Sequence, residues 1–432
     1  IDYSPIVDQL EKNGCKVFCL EKTLGTYNPI FRNSNKLLET VEVQEYVKKH
    51  TDTGEIPNVM FFKIAPNLEK TCEKLGYKIL NTSSELNHRF EHKISQYNEL
   101  EKLSNRFPVT EISTLEDADY QTLSKKLGDK FVIQFNRGHT GESTVFVDNN
   151  KQFSSLQQKF PKRKARISEF ISGDYWTVNC CQTRFGTLWG GLSYQITGIE
   201  ECTAVSGGTV GNDWAYGRNL PVEVRKEISS ICEEVGAIMA KSGYKGLFGL
   251  DLVVTPDQKV KLIEVNARQP ASTSMHTKLM LSEDQIPLQK FHIAEFLGLD
   301  DRLYIDFLGL SQDSNPKELV SRQNELATMP LDGAQIVIRN KYNKKVTINQ
   351  NFDSGVYRID KYGEPEVLRS GYSIDNIEDE NEALIIVKTK GHKVSSNDEI
   401  GRIQVRGGLI SDSKQVKNDI MNFIKIIQQI YR

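Results

Sequence analysis

Residues 246–268 read GLFGLDLVVTPDQKVKLIEVNAR, and no other stretch of the chain limits its fold so tightly. Two apolar, β-prone runs, 247–255 and 259–268, flank Pro256-Asp257-Gln258, the composition of a tight hairpin. Side chains alternate along a strand, so Leu262, Glu264, Asn266 and Arg268 share one face and Ile263, Val265 and Ala267 the other. A loop centred on Asp257–Gln258 sets Asp251 directly opposite Glu264. Two facing carboxylates repel, and burial raises that cost steeply. A cation between them removes both objections. Asp251, Glu264 and Asn266 form a hard, all-oxygen set suited to Mg²⁺ or Mn²⁺ rather than zinc. Arg268, one step further on that face, is placed to hold an oxyanion by bidentate contact. The plainer reading is a solvated polar face on an edge hairpin. The apolar residues around Asp251 (Leu247, Phe248, Leu250, Leu252, Val253, Val254) argue against free solvation.

Other segments give this hairpin its context. Asn136-Arg-Gly-His-Thr-Gly-Glu-Ser-Thr144 lies between two predicted strands, 130–135 and 144–147. Gly138 and Gly141 let the backbone turn its N–H groups toward a phosphate chain, with Thr140, Ser143 and Thr144 hydroxyls at hand. Alone, such a loop is usually a hairpin connection, and neither a P-loop nor a Rossmann dinucleotide fingerprint occurs in the chain. Ile167-Ser-Glu-Phe-Ile-Ser-Gly173, followed by Asp174, reads as a strand ending in a glycine kink. Its backbone could pair with an adenine edge, and its carboxylates could reach a ribose hydroxyl. Ser272, Thr273, Ser274 and His276 read first as a capped helix start and second as substrate contacts. His88-Arg-Phe-Glu-His92 satisfies the H-x-x-E-H pattern of inverted zinc peptidases, with Glu169 as the third ligand that reading needs. That assignment leaves the carboxylate hairpin and the glycine-rich loop unexplained.

The chain has 432 residues, enough for about two to four domains at about 100–200 residues each. Strand-like runs at 15–21 and 58–64 alternate with helical spacing at 41–49 and 66–75, an open α/β layer. A charged, helix-prone stretch follows at 84–105. A long helix starts at Pro221 and stops at Gly243. Short β runs at 334–339, 355–360, 383–389 and 402–406 lead to a closing helix expected after Asp412/Ser413, with Val416, Ile420, Phe423, Ile427 and Ile430 on one stripe. Lys+Arg 55 against Asp+Glu 57 leaves no basic surplus for nucleic acid or an anionic membrane. No apolar run reaches the ~20 residues of a membrane span, and residues 1–25 lack a secretion-signal plan. Seven cysteines form no C-x-x-C pair or disulfide framework, so they read as reduced thiols of a cytoplasmic protein.

Taken in order, these pieces resemble the ATP-grasp superfamily of ligases. The resemblance is clear over 84–300 and rests most on Asp251…Glu264-Val-Asn266-Ala-Arg268. It implies a multidomain α/β and α+β chain with the ATP-grasp fold. An N-terminal open α/β (pre-ATP-grasp) domain covers 1–83, and the small ATP-grasp subdomain, with linker helices and Gly-rich loop, covers 84–172. The ATP-grasp core with the metal site covers 173–309, and a C-terminal β-rich closing domain covers 310–432.

The same resemblance implies Mg²⁺ (or Mn²⁺) on Asp251, Glu264 and Asn266, with Arg268 catalytic. ATP would lie on Lys93, Gln134, Gly138, His139, Thr140, Gly141, Thr144, Glu169, Phe170, Ile171 and Asp174. The reaction implied is carboxylate activation as an acyl phosphate, followed by amide or peptide bond formation with an amine and release of ADP and phosphate. The partners are small molecules, amino acids or a peptide among them, and a homodimer is allowed. Two departures stand out. Gln134 occupies the place of a lysine that relatives carry before the loop, leaving Arg137 as a compensating cation. Ser168 stands where relatives often place an acid. Gln134 is also what favours the alternative of a non-catalytic nucleotide-binding protein. Residues 269–275, QPASTSM, lack the extra acid of the biotin-carboxylase branch, which favours an amine-accepting ligase.

Overall fold

The computed structural model describes residues 4–26, 33–136, 144–205, 207–359 and 365–430. The N-terminal part is mostly helical. Ser4–Lys12, Leu20–Leu24, Ser34–Leu38, Val41–Lys49 and Pro66–Leu75 accompany one parallel pair, β1 (Asn58–Val59) and β2 (Lys78–Ile79). Pro66 opens its helix and Gly76, at φ 70°, closes it, as their backbone preferences dictate. The expected strand at 15–21 is absent: residues 15–19 are irregular and Leu20 starts a helix. The expected strand at 58–64 shrinks to two residues. Both runs are apolar but only partly covered: Leu20 and Ile64 are buried, while Val17 is 37% exposed and Phe62 53%. An unpartnered strand leaves its backbone groups unpaired, whereas a helical turn satisfies its own.

Residues 84–106 form helices Ser84–Glu91 and Lys93–Glu99 and a 3₁₀ segment Glu101–Arg106. The break falls at His92, whose ψ of 128° is extended. The second helix is held from both sides. Ile94 N–H donates to Asn136 Oδ1 at 2.9 Å, and the Gln96 amide donates to the Val265 carbonyl at 2.8 Å.

A four-stranded antiparallel sheet follows: β3 (Thr110–Thr114), β4 (Phe131–Gln134), β5 (Thr144–Val147) and β6 (Lys164–Glu169), in the order β3-β6-β4-β5. One face buries Phe131, Ile133, Val147, Ala165 and Ile167 with Leu123, Leu127 and Phe153 of the helices Tyr120–Leu127 and Asn150–Lys159. Alternation therefore turns Gln134, Thr144, Arg166 and Ser168 to the opposite face.

The larger sheet takes β7 (Asp174–Thr183), β8 (Gly186–Trp189), β9 (Ser193–Thr197), β10 (Thr209–Asp213), β11 (Gly246–Val254), β12 (Val260–Asn266) and β13 (Ala334–Arg339). β14 (Val346–Thr347) forms a separate ribbon with a later strand, while β15 (Gly355–Arg358), β16 (Glu366–Arg369) and β17 (Glu382–Val387) rejoin the sheet. β18 (Lys393–Val394) is the ribbon partner, and β19 (Glu399–Val405) completes the set. The order is β12-β11-β7-β9-β10-β13-β19-β17-β15-β16, with β8 beside β7, so among the described residues one sheet carries eleven strands. At the passage from β6 to β7, a Cβ on Gly173 would lie 2.3 Å from the Val254 carbonyl oxygen, so only glycine fits there.

One face of this sheet is dry. Helix Val222–Lys241 presses Ile228, Ile231, Cys232, Val235 and Met239 into a core with Val178, Cys180, Phe248, Leu250 and Leu262. The opposite face carries Thr177, Asn179, Gln195, Asp251 and their neighbours. The closing helix is Asn418–Ile427, later than expected, because a turn at Ser411–Gln415 and an Ile410–Val416 bridge hold the residues before it. Its stripe is core: Ile420, Phe423 and Ile427 are buried, as are Val416 and Ile430 beside it.

Candidate active site

The β11–β12 hairpin closes through Thr255, Pro256, Asp257, Gln258 and Lys259. Gln258 N–H donates to the Thr255 carbonyl, and Gln258 adopts φ 64°. Near the turn Val254 pairs with Val260 and Leu252 with Leu262, one residue out of step with a loop centred on Asp257–Gln258. A bulge then intervenes and returns Asp251 to a position opposite Glu264. Ile263 is the extra residue, and its carbonyl accepts from the Arg166 guanidinium at 2.7 Å. The facing carboxylates thus arise from two offsets that cancel.

Asp251 is ringed by neutral donors. Its Oδ1 accepts from Thr177 Oγ1 at 2.9 Å and Gln195 Nε2 at 2.6 Å; its Oδ2 accepts from Asn266 Nδ2 at 2.9 Å. Burial first, and then Glu264, push the Asp251 carboxyl up to about 6, against the pull of Thr177, Asn266 and Lys93. Lys93, at the start of its helix, forms an ion pair with Glu264. Two carboxylates therefore share one lysine, with an amide side chain beside them, so the set fits a divalent cation. Among the described residues no group of three or more His, Cys, Asp and Glu has metal-holding geometry. The set here has two carboxylates and an amide.

Arg268 stands just past β12 against the N-terminal part. Its Nη2 donates to Asn266 Oδ1 at 3.2 Å, its Nε pairs with Glu91 at 3.3 Å, and its guanidinium lies over the Phe62 ring at 5.4 Å. Glu91 also receives Lys63 at 2.6 Å and Asn87 at 2.9 Å. Burial works against the Glu91 carboxylate, but Lys63, Arg268 and Asn87 outweigh it and hold its pKa low. Glu91 thus braces Arg268.

On the small sheet, Gln134 and Arg166 are direct partners across β4 and β6. Gln134 donates to Thr144 Oγ1 at 3.4 Å. Gly138, His139, Thr140 and Gly141, with Arg137 and Ser143, lie outside the described residues. Glu169 Oε1 accepts from Val109 N–H at 2.8 Å. The Phe170 ring lies under the Lys130 ammonium at 4.2 Å, and the Ile171 carbonyl accepts from Tyr175 at 3.4 Å. Asp174 departs from the expected grouping. It shares the β7 face of Trp176, away from Thr177 and Asp251, and both its oxygens accept from Lys414 at 2.9 and 2.8 Å. Tyr175 shares the face of Thr177.

The zinc-peptidase arrangement is not formed. The helix ends at Glu91, so His88 and His92 do not sit together on one helix, although their rings stack at 4.8 Å. Glu169 is engaged with Val109. Of the residues at 272–276, Ser272 donates to Asn179 at 2.9 Å beside the polar face, while His276 is buried against Trp214. Burial pushes the His276 imidazole down to about 4.

Four residues of this site escape a reading of the sequence: Thr177, Gln195, Glu91 and Arg166. Thr177 and Gln195 need the β11-β7-β9 order, which no local pattern encodes. Arg166 had a local signal, since Ala165 and Ile167 alternate with it.

Residues 90–272 match the family model described as "ATP-grasp domain". Solved structures share the fold across most of the chain. The biotin carboxylase domain of Hydrogenobacter thermophilus 2-oxoglutarate carboxylase is 13% identical over 89% of this chain and 82% of its own, with TM-score 0.53. L-amino acid ligase from Bacillus licheniformis is 14% identical over 94% and 86%, with TM-score 0.51. N5-carboxyaminoimidazole synthase from Aspergillus clavatus is 12% identical over 84% and 79%, with TM-score 0.51. Comparison with curated proteins finds no match. The chain contains an ATP-grasp domain and has the ATP-grasp fold. All seven cysteines are free, and among the described residues no helix is long and apolar enough to cross a membrane.

Proposed function

We propose that the protein is an ATP-dependent, ADP-forming ligase that activates a small carboxylic acid as its acyl phosphate and joins it to an amine. The observation carrying this reading is the row Lys93, Glu264, Asp251, Asn266 and Arg268, drawn from a helix start and two adjoining strands. The named neighbours support it. The Hydrogenobacter carboxylase domain was solved with MgADP and bicarbonate, the Aspergillus synthase with ADP and an aminoimidazole ribonucleotide, and the Bacillus protein is an amino acid ligase.

In this reading the substrate carboxylate attacks the γ-phosphorus of ATP, ADP leaves, and the amine then displaces phosphate from the acyl carbon. Asp251, Glu264 and Asn266 hold the divalent ion, with Thr177 and Gln195 fixing the Asp251 carboxylate. Mg²⁺ supplies charge neutralisation at the phosphate oxygens during transfer. Lys93 lies on the same carboxylates and is free to exchange Glu264 for phosphate. Arg268, braced by Glu91, offers donors to the oxyanion of the second step. The backbone at Glu169–Ile171 takes the adenine, and Gly138–Gly141 with Thr144 takes the phosphates.

The acyl substrate lies along the polar face of the large sheet. From Asp251 that face continues through Thr177, Ser193 and Asn212 to Gln335 and Gln404, linked in part by Asn212–Ser193 at 3.1 Å and Gln404–Gln335 at 3.4 Å. These groups are uncharged donors and acceptors, suited to a polar small molecule. The reading extends to the four-part organisation at 1–83, 84–172, 173–309 and 310–432 and to a cytoplasmic enzyme. A coupled ADP-release screen over amino acids and small carboxylic acids, with mass spectrometry of the product, tests it. ADP formation that needs Mg²⁺, an acid and an amine together supports the ligase; ATP turnover indifferent to both substrates overturns it.

A further inference from the structure

Gln134 is neutral where nucleotide phosphates are expected to lie, yet it has a charged neighbour that no reading of the sequence singled out. Arg166 stands directly across from it on β6. Gln134 Oε1 accepts from both Nε, at 3.0 Å, and Nη2 of this guanidinium. Nη2 also donates to the bulged Ile263 carbonyl at 2.7 Å, one residue before Glu264. Arg166 is 2% exposed, and its Nη1 has no hydrogen-bond partner among the described residues. Glu264 attracts it electrostatically, but no described carboxylate forms an ion pair with it.

A buried guanidinium without a counter-ion is costly, because desolvation is not offset by an opposing charge. Burial accordingly lowers its pKa to about 10. A methionine or leucine would fill the same space without that cost. The arrangement becomes favourable when an anion meets the vacant Nη1 edge. Arg166 shares its face of the small sheet with Gln134 and Thr144, the last residue of β4 and the first of β5. Resting on the ATP-ligase reading above, we infer that Arg166 is a second phosphate-contacting cation beside Lys93, in place of the lysine missing at 134, with Gln134 fixing the plane of its guanidinium. A lysine on one strand is thus replaced by an amide there and an arginine on the next. Nη1 donates to an oxygen of the nucleotide polyphosphate, while Nη2 ties the small sheet to the metal-holding ribbon.

Calorimetric titration of the full chain with MgADP and with adenosine tests this. R166M is expected to weaken MgADP about tenfold or more, the worth of a charge-assisted hydrogen bond. Adenosine, which has no phosphate, is expected to change less than about twofold. Q134K/R166M, which returns a cation from β4, is expected to regain most of the loss. R166Q keeps donors for Gln134 and Ile263 without the charge, and it decides the matter if ligand-free melting shows that R166M does not fold. Unchanged MgADP affinity in R166M or R166Q overturns the inference and leaves the ATP reading standing. Equal losses for MgADP and adenosine also overturn it, making Arg166 a structural tie only. A wild-type chain that binds no MgADP removes the ATP reading and this inference together.

Discussion

The two sheets meet with opposite electrical deficits. On the large sheet, Asp251 and Glu264 face each other, with Lys93 on Glu264 and, among the described residues, neutral donors on Asp251. On the small sheet, Arg166 is buried with an amide and a carbonyl for company. One side is short of positive charge and the other of negative charge. Among the described residues the hydrogen bond joining them runs to the neutral Ile263 carbonyl, so neither cures the other fully. A metal-bound polyphosphate would supply both missing charges at once, which is why the pair of deficits is informative and either alone is ambiguous.

Breaking the large-sheet side should give the largest effect. Glu264→Gln keeps the shape and removes a charge, so ADP release in the full reaction should fall by about a thousandfold or more, with ligand-free melting little changed. Near-normal turnover would show that the carboxylates do not hold the ion. Arg268→Lys keeps the charge but loses the fork; kcat should fall about a hundredfold while MgADP affinity stays near normal. A matching loss of MgADP binding would place Arg268 on the nucleotide instead.

An acid limit belongs to neither sheet's charge deficit and should be mapped beside them. His292 accepts from Leu247 N–H at 3.0 Å through Nδ1 and meets the Leu80 carbonyl at 2.7 Å through Nε2. Burial, outweighing the Leu80 bond, lowers its pKa to about 4. The unfolded chain then binds the proton first. Stability is complete above about pH 6.5 and declines as pH falls toward 4, by up to about 3 kcal/mol for this group. Denaturant melts at pH 7.5 and 4.5 check the sign; greater stability at the lower pH would refute the assignment. The smallest effect is expected at Thr177→Val, which removes one donor from Asp251. The Mg²⁺ concentration for half-maximal activity should change by a few-fold, about 1 kcal/mol or less, with kcat nearly intact.

Local chemistry reached some of this arrangement and not the rest. The Asp251–Glu264 facing came from hairpin geometry, yet it holds only because the bulge at Ile263 cancels a one-residue offset at the turn. The same alternation that placed Glu264 could have placed Arg166, since Ala165 and Ile167 enter the small-sheet core. What it could not supply was Gln134 as the partner, which depends on β6 lying between β3 and β4. Asp174 was placed by motif likeness, whereas strand parity sets it on the β7 face of Trp176 beside Lys414. The run at 15–21 was apolar enough for a strand, but strands need neighbours, and β1 and β2 are only two residues long. The helix break at His92 likewise depends on tertiary anchoring, with the next helix tied to Asn136 and Val265.

The continuity of the large sheet has a practical side. Gly211 and Asn212 of β10 pair with Ile336 and Gln335 of β13, and a Cβ on Gly211 would strike the Gln335 carbonyl at 2.2 Å. A protein shortened to end before β13 would strip this seam and present β10 as a raw rim of unmet amides and carbonyls. Such a rim recruits strands from other molecules, so trimmed versions made for crystallisation or display should clump unless the seam is capped.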